Sequence, residues 1–500
     1  MVQTDYSGSP EGIGTDAVID DDTALAYREV MEKQGAWIGD EDCAARLVYI
    51  NGRYCPTMSK ATDHARNLSP ADFEDGGDAR DEILDCLNRL PDGFTDQLAA
   101  EVPSGDSFLS SFEKLSAPDH HVGEPTSQFA LNNQQGTACF AALNSVRAGA
   151  VAFVDTPAGR DAYIDDPQPV VLINANTADM GCDREGGVAC HPRSLVIARE
   201  GSSSSFVQSY IDLDEDESVE NSKPKLSNGY TQIYIEAGAN VTHAYLEESG
   251  GMATSGVELA QTVGDGSVDA REVEAIRAAL RNTHLEAIDV HVTGDNGRYT
   301  VATLGLGGNG RSRVALSASL LRPGSHANLN GFVLAAGAQR TETKTNIHHI
   351  AQGTTSQQTQ RNMIGGRASS SFRGRIRVEQ SAQQTDSDQL TRTILLSDKS
   401  RVWTVPSLEI IADDVQCTHG ATVSDLSEEE LFYLRSRGIS RESARNMLMY
   451  AFVDEVGQAV PLVVRGKVDA ENSLKVRCMK RLQNVVPQGD RQIRGEFQSS

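Results

Sequence analysis

Aromatic residues are scarce, 5% of 500 positions, and only two are tryptophan. The plentiful Gly, Ser, Thr and Gln suit short strands and tight turns better than a helical bundle. Cysteine is also thin: eight residues, at 43, 55, 86, 139, 182, 190, 417 and 478, with no CxxC pair. That excludes a disulfide framework and points to buried thiols in a reducing compartment. No run approaches the roughly 18 consecutive apolar residues of a membrane-spanning helix. Basic residues are in deficit, 45 Lys plus Arg against 70 Asp plus Glu, a formal charge of −25. Such a field disfavours nucleic acid and anionic membrane surfaces as partners. There is no GxxxxGK[ST] loop, so no nucleotide is expected to bind this chain. The opening MVQTDYSGSPEGIGTDAVIDDDT is neither a basic apolar leader nor an Arg-rich amphipathic one. A cytoplasmic chain, or one whose targeting segment is not part of this sequence, is the expectation.

What is present falls into three regions. Residues 1–149 read as mainly helical, with apolar residues at helical spacing in TALAYREVMEKQGAW (23–37) and ARDEILDCLNRL (79–90). Between them ARLVYINGRYCP (45–56) is a hairpin whose turn is Asn51-Gly52. From 150 to 425 the chain is a succession of five- to nine-residue β-type runs, VVLINA, SLVIARE, QIYIEA, AIDVHV and others, separated by Gly, Asn, Asp and Ser. Three of the turns resemble one another: REGSSSSFVQSY (199–210), EAGANVTHAYLE (236–247) and RPGSHANLNGFV (322–333). A loosely repeated strand–turn–strand unit favours a stacked β architecture such as a parallel β-helix, in which each rung buries its face against its neighbours, although a β-sandwich would give similar runs. A charged, breaker-rich loop (212–229) and a helical insert (268–282) interrupt the stack. Region 426–500 returns to helix. Ser427 with Glu430 forms a capping box, Gly438 stops the first helix, and Ser440 caps a second. On that second helix Ala444, Met447, Leu448, Ala451 and Phe452 share one face.

Several letter patterns have plain structural readings. GLGGNG (305–310) matches GxGxxG, but a strand-like RSRVALSASL follows where a phosphate-binding helix would have to begin, so it reads as a turn. DGSVDAREVE (265–274) lacks the third-position ligand and closing glutamate of a calcium loop. Cys182, Cys190 and His191 lie in a Gly-rich loop without a fourth zinc ligand. His348 and His349 sit in the very polar TETKTNIHHIAQGTTSQQTQ and are expected at a surface or an interface. The sharpest pattern is ADDVQCTHGATV (412–423). On a strand, Cys417 and His419 point to the same side. Two ligands are too few for a closed tetrahedral site, and a Cys–His hydrolase would lack an evident oxyanion hole. A strand end and a shared metal or sulfur site both remain open on this reasoning.

The stretch LEIIADDVQCTHGATVSDLSEEELFYLRSRGIS (408–440) closely resembles the C-terminal signature of the SufB/SufD family of iron–sulfur cluster assembly proteins, on its SufD side. The resemblance extends through SSFRGRIRVEQSAQQTDSDQLTRTILLSDKSRV (370–402), His349 with Thr355 and Ser356, ACHPRSLVIAREG (189–201) and ARLVYINGRY (45–54). It implies a mainly β fold, a right-handed parallel β-helix flanked by N- and C-terminal α-helical regions. It implies a non-enzymatic subunit that pairs with a SufB-like chain through the β-helix. It also implies a SufC-like ABC ATPase docked on the C-terminal helices, with Phe432, Tyr433, Arg435, Arg437, Met447 and Phe452 as docking residues. Cys417 and His419 map onto the family's interface positions, where a nascent iron–sulfur cluster shared with SufB would be held. A plastid stroma or a bacterial cytoplasm is the implied location. The chain departs from the pattern in its loop at 212–229, its insert at 268–282, and in Trp403 and Val405, where polar residues are more usual. The competing readings are a β-helix enzyme acting on polysaccharide and a purely structural complex subunit.

Overall fold

The computed structural model describes residues 21–68, 151–159, 168–177, 188–213, 225–249, 282–308, 310–424 and 428–457, with a few isolated positions besides. Its strands alternate between two sheets. The first takes β1 (Ala45–Ile50), β2 (Arg53–Tyr54), β5 (Val170–Asn176), β8 (Ser203–Asp212), β10 (Asn240–Glu247), β12 (Arg298–Gly305) and β14 (His326–Ala335). It continues through β16 (Thr355–Ile364) and β18 (Thr385–Leu395) to β20 (Val415–Ser424). The second takes β3 (Ala65–Leu68), β4 (Val151–Thr156), β7 (Arg193–Ala198), β9 (Lys225–Ile235), β11 (Thr283–Val292) and β13 (Arg311–Leu320). It ends with β15 (Arg340–His349), β17 (Ser369–Val378) and β19 (Arg401–Ile410), while β6 (Val188–Cys190) pairs beside β7 on β9. Apart from the antiparallel β3–β4 pair, every pairing from β4 onward is parallel, and from β7 onward consecutive strands lie in opposite sheets. This is a parallel β-helix, as the resemblance implied, and not the β-sandwich that the repeat also allowed.

The three similar turns do similar work. Gly201, Gly238 and Gly324 all have positive φ (66°, 63° and 70°) and enter β8, β10 and β14 respectively. Only glycine adopts that conformation without a Cβ penalty. The turns stack along the axis, with Gly201 N–H donating to Ala237 O (2.9 Å) and Gly238 N–H to Asp295 O (2.8 Å).

Two apolar layers hold the stack. Inside, Phe206, Tyr210, Val241, Tyr245, Tyr299, Val301, Ile288 and Ile376 fill the space between the sheets. Outside, the first sheet presents Val171, Ile173, Val207, Leu246, Leu304, Phe332 and Met363, covered by helix α1 (Asp21–Gln34) through Ala24 and Met31. The other end of that layer is covered by α2 (Glu428–Ser436) and α3 (Arg441–Gly457) through Leu431, Ala444, Met449 and Val453. Each fully buried large side chain contributes roughly 1.5–3 kcal/mol, so neither the sheets nor the helices stand alone.

The core begins earlier than position 150. The Asn51-Gly52 hairpin forms as expected, with φ of 51° and 76°, and its strand β1 joins the first sheet in parallel to β5. Residues 225–229, expected in the charged loop, are the first part of β9, and Lys225 pairs with Asp212 at 3.6 Å. The helices expected at 79–90 and 268–282, the calcium-like loop, Cys182 and the Ser427 cap lie outside the described residues. Ser440 caps α3 as read, its Oγ accepting from Ser443 N–H at 3.0 Å. Gly438 has φ 86° and closes α2. The buried face of α3 differs from the expected one. Ala444 is buried and Leu448 and Phe452 pack against the core as expected, but Met449 and Val453 are buried as well while Met447 and Ala451 are exposed, so the buried face is rotated from the one read in the sequence.

Candidate functional site

β19 and β20 are the last strands of their sheets, so each leaves one backbone edge without a neighbour among the described residues. β20 pairs on its other edge with β18, placing Cys417 opposite Ser387 and His419 opposite Gln389. Ser387 and Gln389 are buried and Cys417 packs against the interior cluster, so this pair of positions faces the lumen at its mouth. Cys417 is half-buried and His419 exposed. The structure thus brings the two candidate ligands together on one side of an open rung. Burial pushes the Cys417 thiol above its ordinary value, and the nearby Asp386 carboxylate adds to this.

Beneath the pair the lumen turns polar. Ser387 Oγ is 2.8 Å from Ser356 Oγ, which is 2.9 Å from His349 Nε2, and His349 Nδ1 is 2.8 Å from Thr354 Oγ1. Alongside, Gln389 Nε2 donates to Gln358 Oε1 at 2.7 Å. The Oε1 atom of Gln389, the register partner of His419, is buried without a hydrogen-bond partner among the described residues. This floor corrects the reading of His348 and His349 as surface or interface residues. Both are buried, and His349 lies inside the helix. Desolvation, aided by His348, lowers the His349 pKa to about 3, so it is a neutral hydrogen-bonding member of the floor. His348 faces outward and meets Glu379 at 2.9 Å. Composition hid this because the run TTSQQTQ is as polar as a loop. Its strand alternation carries the signal, since Ser356, Gln358, Gln360 and Asn362 all face in.

The remaining candidates behave as structural elements. Cys190 is buried with its Sγ donating to Asn176 Oδ1 at 3.0 Å, and desolvation pushes its thiol up to about 12. His191 Nδ1 is engaged by Asn228 at 3.1 Å. GLGGNG connects β12 to β13, with no helix following. Among the described residues no group of three or more His, Cys, Asp or Glu side chains could close around a metal ion. Cys417 and His419 fit a soft cargo chemically, a thiol beside an imidazole, but supply only part of a coordination sphere.

On the C-terminal helices the six candidate docking residues divide. Phe432 and Tyr433 are 72% and 59% exposed, and Met447 is exposed beside them. Arg435 and Arg437 are exposed, with the Arg437 guanidinium 5.3 Å from the Tyr433 ring centroid. Phe452 instead turns inward. Its ring lies 4.8 Å from the Arg361 guanidinium and its carbonyl accepts from Arg361 Nη1 at 3.3 Å, tying α3 to β16.

The sequence matches the family model described as "SUF system FeS cluster assembly, SufBD core domain" over residues 181–452. It is 27% identical over 391 residues to the Arabidopsis thaliana protein ABCI7, chloroplastic, covering 76% of this chain and 73% of that one. It is 25% identical over 419 residues to the SufBD family protein slr0076 of Synechocystis, covering 84% and 74% respectively. It is 32% identical over 167 residues to the iron–sulfur cluster assembly protein SufD of Escherichia coli, covering 33% and 37%.

Proposed function

The chain belongs to the SufBD core family of the iron–sulfur cluster assembly system, and from that premise we propose that it is the SufD-type subunit of a SufB–SufC–SufD assembly. In this reading it holds half of a cluster-building site and carries no chemistry of its own. The observation behind it is the placement of Cys417 and His419 side by side on β20, the strand whose outer edge has no neighbour among the described residues. A second β-helix, supplied by a SufB-like chain, can continue the stack there by pairing with β19 and β20.

The cluster is the cargo. Cys417 ligates iron as a thiolate, so its proton must leave when metal arrives. A raised thiol pKa keeps the empty site protonated and unreactive. The His419 imidazole offers a borderline nitrogen donor on the same side, and the partner completes the sphere. Ser387 and Gln389 set the spacing of both residues through strand register.

The ATPase docks on the exposed side of α2 and α3. Its movement reaches the site through Phe452 and Arg361 on β16, then β18, then β20, each strand paired to the next. This gives two distinct sites joined by a packed element, which is what coupling requires. Relatives named as chloroplastic and as bacterial fit a plastid stroma or a bacterial cytoplasm as the place of work.

The test is reconstitution with a SufB-like partner, the ATPase, a cysteine desulfurase and iron. Cys417→Ala and His419→Ala each lower cluster formation by about tenfold or more, the cost of one lost ligand, while gel filtration shows the complex intact. Unchanged cluster yield in both variants refutes the shared site and leaves a structural subunit.

A further inference from the structure

Five cations line one concave corner of this acidic protein. Arg311, Arg340 and Arg401 open β13, β15 and β19, and Arg367 and Lys399 lie in the turns that lead into β17 and β19. Together with Trp403 they border a groove of about 840 Å³, within the size range of small-ligand sites. Asp398 is the one acidic residue in its lining.

Parallel register builds the groove. Arg311 pairs with Arg340, Arg340 with Ser369, and Ser369 with Arg401. At about 4.8 Å per rung the guanidinium row extends over roughly 14 Å along the helix axis. Small residues, Gly310, Ala338 and Ser369, stand between the cations and leave the space open. The turns behind it are fixed. Arg367 N–H donates to Gly337 O at 2.7 Å, and a Cβ at Gly366 would come within 2.9 Å of the Gly337 nitrogen.

The contrast with the same strands further along is what points to a ligand. There most of the cations are matched, Arg313 and Lys344 with Glu342 at 2.7 and 3.4 Å, Arg377 with Glu379 at 2.7 Å, and Arg375 with Glu409, Arg373 being the exception. The five cations of the groove have no ion pair among the described residues. Five like charges converge around a single carboxylate, Asp398, and the excess positive charge repels itself unless an anion joins it. The chain as a whole repels anions, so this corner reverses the sign of the field locally.

We propose that the groove binds the di- or triphosphate group of a small ligand. Planar guanidinium forks match phosphate oxygens with paired hydrogen bonds, and an unbranched row of them fits a chain of phosphates. Trp403 is 53% exposed and projects from the same face as Arg401, two residues on. It supplies a stacking surface at the end of the row if the phosphates belong to a nucleotide. The missing GxxxxGK[ST] loop excludes a P-loop and leaves this arginine site untouched. The groove lies on the second sheet and is tested on the isolated chain, although Arg401 and Trp403 sit on β19, whose outer edge the cluster-site reading gives to the partner.

Calorimetry on the full-length chain at low salt, with pyrophosphate, ADP and citrate as probes, tests it. Pyrophosphate or ADP binds saturably below about 1 mM and citrate more weakly. The Arg340→Ala/Arg401→Ala double variant loses about tenfold or more in affinity, and salt weakens binding. Arg373→Ala, on the same sheet face but outside the groove, leaves affinity within about twofold. Tighter binding of ADP, with Trp403 fluorescence quenched and the advantage lost in Trp403→Leu, assigns the phosphates to a nucleotide. Equal binding of ADP and pyrophosphate assigns them to the bare phosphate group. Absence of saturable binding by either overturns the proposal. So does citrate binding as tightly as pyrophosphate, or an equal loss in Arg373→Ala. Unchanged thermal melting of the double variant separates lost binding from lost fold.

Discussion

At the residue scale, Cys417 is defined by what surrounds it more than by its neighbour in sequence. Burial at the lumen mouth and the Asp386 carboxylate both favour the neutral thiol. Alkylation requires the thiolate. The pH at which the rate at Cys417, followed by mass spectrometry of its peptide, reaches half its maximum is therefore expected above about 8.5, where an ordinary thiol is half ionised. A midpoint at or below that pH would contradict the burial argument. Ferrous iron supplied with the SufB-like partner should protect the same peptide, because ligation consumes the thiolate. His349 shows the same dependence on surroundings. A histidine in a polar stretch looks exposed, yet two hydroxyl partners and a neutral ring let it sit inside the helix at little cost.

At the scale of elements, the strands carry polar chemistry inward at several rungs. The rung formed by β8, β9 and β11 buries Glu286. Its carboxylate accepts from Tyr210 OH at 2.6 Å and from Thr231 Oγ1 at 2.9 Å. Gly229 makes room for it, since a Cβ there would lie 1.9 Å from Glu286 Oε2. Desolvation outweighs these bonds and pushes the Glu286 carboxyl up to about 7 from an ordinary 4.5. The folded state therefore binds this proton more tightly than the unfolded chain does. That stabilisation is fully present below pH 4.5 and is lost as pH rises toward 7. Relative to Glu286→Gln, whose side chain does not titrate, the parent protein should lose on the order of 3 kcal/mol between pH 4.5 and 8. Urea unfolding of both proteins across that range measures the difference; parallel curves would show that the carboxyl is not raised.

At the scale of the whole molecule, three faces have different characters. The outer face of the first sheet is closed by α1, α2 and α3. The far side of α2 remains open, with Phe432 and Tyr433 exposed. Exposed aromatics flanked by arginines have the composition of a binding hot spot. Phe432→Glu combined with Tyr433→Glu is expected to weaken ATPase binding by about tenfold or more, measured by surface-immobilised titration. The melting temperature should stay unchanged, because neither ring is in the core. A lowered melting temperature would place these residues in the fold instead. The open edges of β19 and β20 form the second face and the arginine-lined corner the third.

The sequence by itself determined the stacked β architecture, the hairpin at Asn51-Gly52, the caps at Gly438 and Ser440, and the pairing of Cys417 with His419 on one strand face. All of these are local. Turn glycines, capping hydroxyls and two-residue alternation act over a few positions, so their physics is legible in a short window. Only the tertiary structure decided that β1 to β3 join the sheets, that His348 and His349 are buried, and that α3 packs through Met449 and Val453 rather than Met447. It alone gathered Arg311, Arg340, Arg367, Lys399 and Arg401, spread over ninety-one positions of sequence, into one groove. These outcomes depend on which strand stacks on which, and parallel stacking joins residues roughly thirty positions apart with no local mark of the partnership. The Cys417–His419 motif was visible as two ligands; that they stand on a terminal rung with an unpaired edge is a property of the assembled helix.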